Sequence, residues 1–249
     1  RHAMEVAGVS PSDCIAVAIS NQRETTMLWD RIGGRSRYNA IVWQCRRTAP
    51  FCDELKAQGH EPLFKQRTGL VLDPYFSGTK IRWMLDNVPG LRADVDAGKV
   101  AFGTVDSFLA YRLSGGVAHV TDVSNASRTL CMNLSTLDWD PELMDILGVP
   151  KSLMPKIMPS AGVFGVTKGL SFLPDGIPIS GIAGDQQSAL FGQTCFNVGQ
   201  SKCTYGTGAF LLMNTGEQIP VSEHGLLTTV GWTVDGKTCY ALEGSAFIA

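Results

Sequence analysis

Long apolar runs are missing from this sequence. No stretch approaches the roughly 20 consecutive apolar residues that a membrane-crossing helix needs, so membrane insertion is not expected. Basic clusters are missing too. Lys and Arg total 21 against 23 Asp and Glu, a net charge of −2, which leaves no electrostatic footprint for nucleic acid or an anionic membrane. The seven cysteines (14, 45, 52, 131, 195, 203 and 239) form no Cys-x-x-Cys pair and lie far in sequence from the four histidines. That spacing argues against structural zinc, and an odd, scattered set reads as the reduced thiols of a cytoplasmic protein. Internal repeats and low-complexity tracts are absent. What is present is 44% apolar and 18% charged residues with 27 glycines, the composition of a globular, turn-rich α/β chain. At 249 residues there is room for one large domain or two ordinary ones.

Strand-like and helix-like segments alternate, which argues for α/β layers. Residues 14–20 form a β-branched apolar run that ends in polar Asn21-Gln22-Arg23-Glu24, the pattern of a buried strand delivering side chains at its carboxyl end. Residues 27–29 and 41–43 read as a strand pair across a turn at 30–36. Helical patterns cover 48–58, 79–85 and 107–113, and a strand pattern covers 100–104. Residues 138–159, with prolines at 141, 150, 155 and 159, read as a turn-rich connection. A strand over 177–182 leads into a helix over 186–191. Residues 197–200 look like a junction, and 202–205, 210–213, 225–232 and 238–242 like successive strands of a second sheet. The expected division is therefore 1–196 and 197–249.

Two segments carry the most chemistry. Gly181-Ile-Ala-Gly-Asp185-Gln186-Gln187 sets a carboxylate at a strand-to-helix switch, where α/β sheets bind ligands and where an acid can accept a hydroxyl proton. A plain helix cap explains such an Asp equally well. Tyr205-Gly206-Thr207-Gly208 is a tight turn whose backbone N–H groups carry no side-chain bulk, so an anion can approach them. Hairpins use Gly-x-Gly constantly, so this turn gains weight only beside Asp185. Arg23 and Glu24 offer a fork of donors and two acceptor oxygens, suited to a ligand with several hydroxyls if the chain turns there, and a surface ion pair if it does not. Trp43 and Tyr75 can cover the C–H face of a polyol or simply pack in the core.

These pieces together resemble the FGGY carbohydrate kinases. Tyr75-Phe-Ser-Gly-Thr-Lys-Ile-Arg-Trp-Met-Leu-Asp-Asn87 matches the first signature of that family at every defined position. Asn21-Gln-Arg-Glu-Thr-Thr26, Trp43, Asp122-Val-Ser-Asn-Ala-Ser-Arg-Thr129, residues 181–187 and residues 205–210 are similar to its glycerol-phosphorylating members, in order along the whole chain. The resemblance implies an actin-like (ribonuclease H-like) ATPase fold of two lobes, with the active site in the cleft between them. It implies ATP and Mg²⁺ as cofactors, glycerol as the substrate, and a homo-oligomer in full-length form. Carried over, Arg23, Glu24, Tyr75, Asp185 and Gln186 would hydrogen-bond glycerol. Trp43 and Phe210 would wall it, and Asp185 would be the base and a candidate to reach Mg²⁺ through a bound water. Gly206, Thr207 and Gly208 would contact the ATP phosphates.

The chain departs from the family in lacking an Asp-x-Gly-Thr phosphate loop anywhere. It begins at Arg1 and ends inside an apolar segment at Ala249, so both lobes are expected to be incomplete and the chain alone inactive. Three other readings stay open: a kinase for a pentulose or gluconate, a non-catalytic actin-like nucleotide-binding protein, and a glycosidase using Glu24 with Asp185.

Overall fold

The computed structural model describes residues 2–206 and 208–247. In chain order the first elements are α1 (His2–Ala7), β1 (Val17–Asn21), β2 (Met27–Asp30), α2 (Ala49–Ala57), α3 (Glu61–Thr68), α4 (Ser77–Asn87) and α5 (Leu91–Asp96). There follow β3 (Val100–Gly103), α6 (Val105–Leu113), β4 (Val120–Asp122), α7 (Val123–Ala126), β5 (Met132–Asn133), β6 (Asp138–Trp139) and α8 (Pro141–Leu147). Then come β7 (Lys156–Met158), β8 (Ala161–Val166), β9 (Pro178–Gly184) and α9 (Asp185–Gly192). The chain closes with β10 (Ser201–Tyr205), β11 (Gly208–Gly216), β12 (Leu227–Val234) and β13 (Lys237–Phe247).

One pairing positions everything that follows. β1 runs parallel to β9, with Asn21 opposite Gly184. Parallel strands place their carboxyl ends side by side, so the residues after Asn21 and after Gly184 emerge at one edge although about 160 positions separate them. β8 adds antiparallel to β9, and a separate antiparallel sheet has the order β10-β11-β13-β12. The antiparallel sheet joins a core built from β2, β3 and the helices, while Ile19, Phe164, Ile179 and Ile182 of β1, β8 and β9 belong to a separate cluster. Val230 and Tyr240 of β12 and β13 pack in the same buried cluster as Leu28, Phe64, Phe76, Phe102 and Leu143, and the Tyr240 hydroxyl donates to the carbonyl of Leu134 at 2.9 Å.

Local chemistry explains where α4 sits and stops. Ile81, Met84 and Leu85 recur at helical spacing and are buried, giving the helix an inner face. Pro89 forces Val88 into an extended conformation (φ −96°, ψ 116°) and ends it. Gly78 has its backbone N–H against the carbonyl of Thr129 at 2.7 Å, and a Cβ there would meet the same oxygen at 2.7 Å. Only glycine allows that approach.

Two expectations need correction. The proline-rich stretch after 138 is not all turn. Asp140 accepts from the N–H groups of Glu142 and Leu143, Pro141 occupies the first helical position, and left-handed Gly148 closes a helix, α8. Proline at that position loses no hydrogen bond, so it starts this helix rather than breaking it. Residues 41–43 are not a strand either. β2 pairs with β3 instead, and Ile41 makes a single bridge to Thr26, which leaves Trp43 in a turn. Smaller differences are that β1 begins at Val17, leaving residues 14–16 outside it, and that α1, α3, α5, α7, β4, β5 and β8 have no counterpart in the sequence reading.

Candidate active site

The chain turns sharply after β1. Glu24 adopts φ +60°, a left-handed conformation that costs a non-glycine residue about 1–2 kcal/mol. Three donors hold it there: Thr26 Oγ1 at 3.1 Å, Ser77 Oγ at 3.0 Å and Lys80 Nζ at 3.2 Å all donate to the Glu24 carbonyl. Ser77 and Lys80 belong to the start of α4, so that motif serves to lock the Arg23–Glu24 turn. Lys80 is fully buried, and burial pushes its ammonium down to about 8.

The turn settles how Arg23 and Glu24 are used, and corrects the idea of a free donor fork. Arg23 gives Nη1 and Nη2 to the two carboxylate oxygens of Glu243 at 2.5 and 2.8 Å, and also reaches Gln187 Oε1 at 3.3 Å and the Tyr75 hydroxyl at 3.4 Å. Arg128 donates through Nε to Glu24 Oε1 at 2.7 Å and through Nη2 to Glu243 Oε1 at 3.0 Å. Two arginines and two glutamates thus form a neutral cluster, each residue no more than 2% exposed. Burial alone would raise the Glu243 carboxyl, but the Arg128 and Arg23 guanidiniums outweigh it and hold that carboxyl at about 2. What Arg23 leaves toward the cavity is Nε, 3.6 Å from both Glu24 Oε1 and Asp185 Oδ1.

Asp185 stands at the first position of α9 and does not cap it. The cap position is Gly184, and no side chain caps the helix. Oδ1 of Asp185 accepts from the Gln186 N–H at 2.8 Å and Oδ2 from Gln186 Nε2 at 3.2 Å, while the side chain stays 44% exposed. The approach to it is tight. A Cβ on Gly184 would lie 2.7 Å from Cγ and Cδ of Arg23, so glycine is required for the arginine to pass. Bracing comes from the 122–129 motif: Ser124 Oγ accepts the Gly184 N–H at 2.9 Å and donates to Asp122, and Asn125 pairs its amide with that of Asn21. Both strand ends are therefore pinned by one short segment.

Opposite this edge, Trp43, Tyr75 and Phe210 make an aromatic wall, with Trp43 edge-on to Tyr75 at 5.6 Å and to Phe210 at 6.2 Å. Arg23, Glu24, Trp43, Tyr75, Asp185, Gln186, Gly206, Gly208 and Phe210 line a single cavity of about 230 Å³ together with Gln22 and Thr204. Every expected site residue among the described residues is in it; Thr207 lies outside the described residues. Gly206 and Gly208 form the tip of the β10–β11 hairpin, where the Gly206 N–H donates to the Gly208 carbonyl at 3.0 Å. Nothing lies within 4 Å of a Cβ built on Gly206, so the space beside it is open even though its N–H is given to Gly208.

Sequence reasoning missed Glu243 and Lys202, and passed over Arg128 within its motif. Glu243 lies past the expected end of its strand, because β13 runs on to Phe247. A usable signal was present: a lone acid inside Tyr240-Ala-Leu-Glu-Gly-Ser-Ala, and a lone base in Ser201-Lys-Cys-Thr-Tyr, each in a strand too apolar to leave a charge unpaired.

The chain is 57% identical over 243 residues to the glycerol kinase of Geobacillus kaustophilus, covering 98% of this chain and 49% of that protein. It is 57% identical over 248 residues to glycerol kinase 2 of Thermotoga maritima, covering 100% of this chain and 50% of that one. The crystal structure of Plasmodium falciparum glycerol kinase with ADP superposes with a TM-score of 0.91 at 38% identity, over 99% of this chain and 50% of that one. The chain spans about half the length of the curated relatives it matches. It has the actin-like, ribonuclease H-like ATPase fold of these kinases. The N-terminal domain of the FGGY family of carbohydrate kinases matches residues 1–192, and the chain belongs to that family.

Proposed function

We propose that the protein to which this chain belongs transfers the γ-phosphoryl group of ATP to a terminal hydroxyl of glycerol, giving sn-glycerol 3-phosphate. The convergence of Asp185, Gln186, Arg23, Glu24 and the Trp43–Tyr75–Phe210 wall on one cavity of about 230 Å³ carries this reading. Its size and its pairing of polar edge with aromatic face suit a small polyol. Similarity to proteins named glycerol kinase supports the choice of substrate.

In this reading Asp185 is the base. It is the half-exposed carboxylate of the cavity, and its two oxygens are oriented by Gln186. It accepts the hydroxyl proton late, because the transferring phosphoryl group passes through a loose transition state in which positioning and charge neutralisation dominate. Arg23 Nε, Tyr75 and Gln186 hold the hydroxyls, and the aromatic wall covers the carbon skeleton. A three-carbon substrate lacking one hydroxyl leaves a buried polar group unpaired, a loss of about 1–3 kcal/mol.

Gly206 and Gly208, with Thr207, are the part of this chain that would meet the phosphates. The half-exposed Asp185 carboxylate, in the cavity that Gly206 and Gly208 also line, fits Mg²⁺ held mainly by phosphates and waters. Asp185 would reach it through water. When bound, Mg²⁺ neutralises charge on the transferring phosphoryl oxygens. The lobes are assigned to 1–196 and 197–249, which puts the hairpin and Glu243 on one lobe and Asp185 and Arg23 on the other. A cytoplasmic setting fits seven unpaired cysteines, and no helix among the described residues is long and apolar enough to cross a membrane.

The test uses the full-length protein. Glycerol, a pentulose and gluconate are offered with ATP, and glycerol should show the highest kcat/KM by about 100-fold or more. Asp185→Asn should lower kcat by roughly 10²–10⁴ while calorimetry shows glycerol binding within about threefold. Preference for a longer sugar, or near-normal turnover in the variant, would overturn the substrate or the base respectively.

A further inference from the structure

Lys202 is 2% exposed, and nothing in the proposed mechanism uses it. It sits on β10 opposite Leu212 of β11, which in turn faces Glu243 of β13, so all three side chains share the face of the sheet that looks toward the cavity. Its ammonium has three acceptors: Gln186 Oε1, Thr204 Oγ1 at 3.0 Å and the Phe210 carbonyl at 3.0 Å. An ammonium carries three donors and no acceptor, so its capacity is filled. The charged groups around it are Glu243, Arg23 and Asp185, with Cys203 beside it on its own strand. Burial brings its pKa down to about 8, which still leaves it mainly charged at neutral pH.

A charged lysine settles a question that the Gln186 side chain cannot settle itself. The two ends of a carboxamide have nearly the same shape and opposite polarity. Only the oxygen can face Lys202, so the NH₂ must face the other way, toward Asp185 Oδ2 at 3.2 Å. Together with the Gln186 backbone N–H on Oδ1, that donor pins both oxygens of the carboxylate. With the amide reversed, two acceptor oxygens would confront each other and Asp185 would swing away.

We infer that Lys202 is a positioning residue for phosphoryl transfer, acting through the Gln186 amide to set the orientation of the Asp185 carboxylate. This rests on the proposed role of Asp185 as base. Lys202 also ties the start of β11 to β10 through the Phe210 carbonyl, so a simple loss of activity on substitution would not separate orientation from hairpin packing.

A double-mutant cycle does. In the full-length kinase, kcat/KM for glycerol is measured for the wild type, Lys202→Met, Gln186→Ala and the double variant. Lys202→Met should lower kcat/KM by about 10–30-fold on the wild-type background and by less than about threefold on the Gln186→Ala background, since residues acting as one unit are not additive. Losses that multiply, or a Lys202→Met variant within twofold of wild type, would overturn the inference. Where Lys202→Met does not fold, the cycle is run with Lys202→Gln, which keeps length and a donor but lets its own amide turn either way. The same non-additivity is then expected with a smaller first step of about 3–10-fold, and multiplying losses again overturn it. A wild type that phosphorylates another polyol and not glycerol would instead refute the substrate reading, and the cycle is then scored with the accepted polyol.

Discussion

The two sides of the cavity are built in opposite ways. On the strand-end side, Arg23, Glu24, Arg128 and Glu243 are tied to one another inside the protein, with Arg128 Nη1 left buried without a hydrogen-bond partner among the described residues, and Gly184 has no room even for a methyl group. On the hairpin side, Tyr205 is 83% exposed and Gly206 faces open space. A small neutral polyol is recognised by fixed hydrogen-bond geometry, which rewards rigidity. A nucleotide that must arrive and leave on every cycle is better served by an accessible backbone turn. The contrast follows the division of labour proposed for the two substrates.

Breaking this cluster should have the largest effect. Glu243→Gln leaves two buried guanidiniums facing a neutral amide and should cost about 3–5 kcal/mol in urea unfolding; a loss below 1 kcal/mol would mean that the cluster relaxes or admits water. Acid should erode the same side. Glu243 sits at about 2 in the folded chain against an ordinary value near 4.5. Its contribution is thus fully present above about pH 4.5 and is lost as pH falls toward 2. Over that window the wild type should lose on the order of 3 kcal/mol that Glu243→Gln does not lose, about 2 kcal/mol of it between pH 5 and 3, checked by unfolding curves at pH 5, 4 and 3.

A methyl group probes the comparison more finely. Gly184→Ala drives a Cβ to within 2.7 Å of Arg23 and should cost about 1–3 kcal/mol in a thermal melt, with a raised KM for glycerol as the guanidinium shifts. Gly206→Ala meets nothing within 4 Å and should stay within about 0.5 kcal/mol of wild type. Its effect, if the hairpin holds phosphate, should fall on the KM for ATP instead. Equal melting temperatures for the two variants would erase the distinction between the sides.

Much of the site was legible in the sequence because it is carried by short motifs with local logic. The turn after β1, the acid at the head of α9 and the Gly-x-Gly tip each announce themselves by residue type and order. The Asp185 cap reading failed for a geometric reason: Gly184 occupies the cap position, so the carboxylate is left for the cavity. Helix α8 was hidden because proline counts as a breaker until Asp140 is seen to cap the turn that Pro141 opens. Residues 41–43 looked like a strand because they are apolar, yet β2 found a longer partner in β3, and Trp43 packs in the aromatic wall instead.

By itself the sequence determined the alternating α/β order, the second sheet and the family resemblance, since all of these rest on composition, periodicity or contiguous motifs. Only the tertiary structure decided how the charges are spent. Arg23 is held by Glu243, 220 positions away, and Gln186 of helix α9 by Lys202 of strand β10. Charge neutralisation in a buried site depends on distance in space, and no local pattern records which distant carboxylate or ammonium the fold will bring within reach.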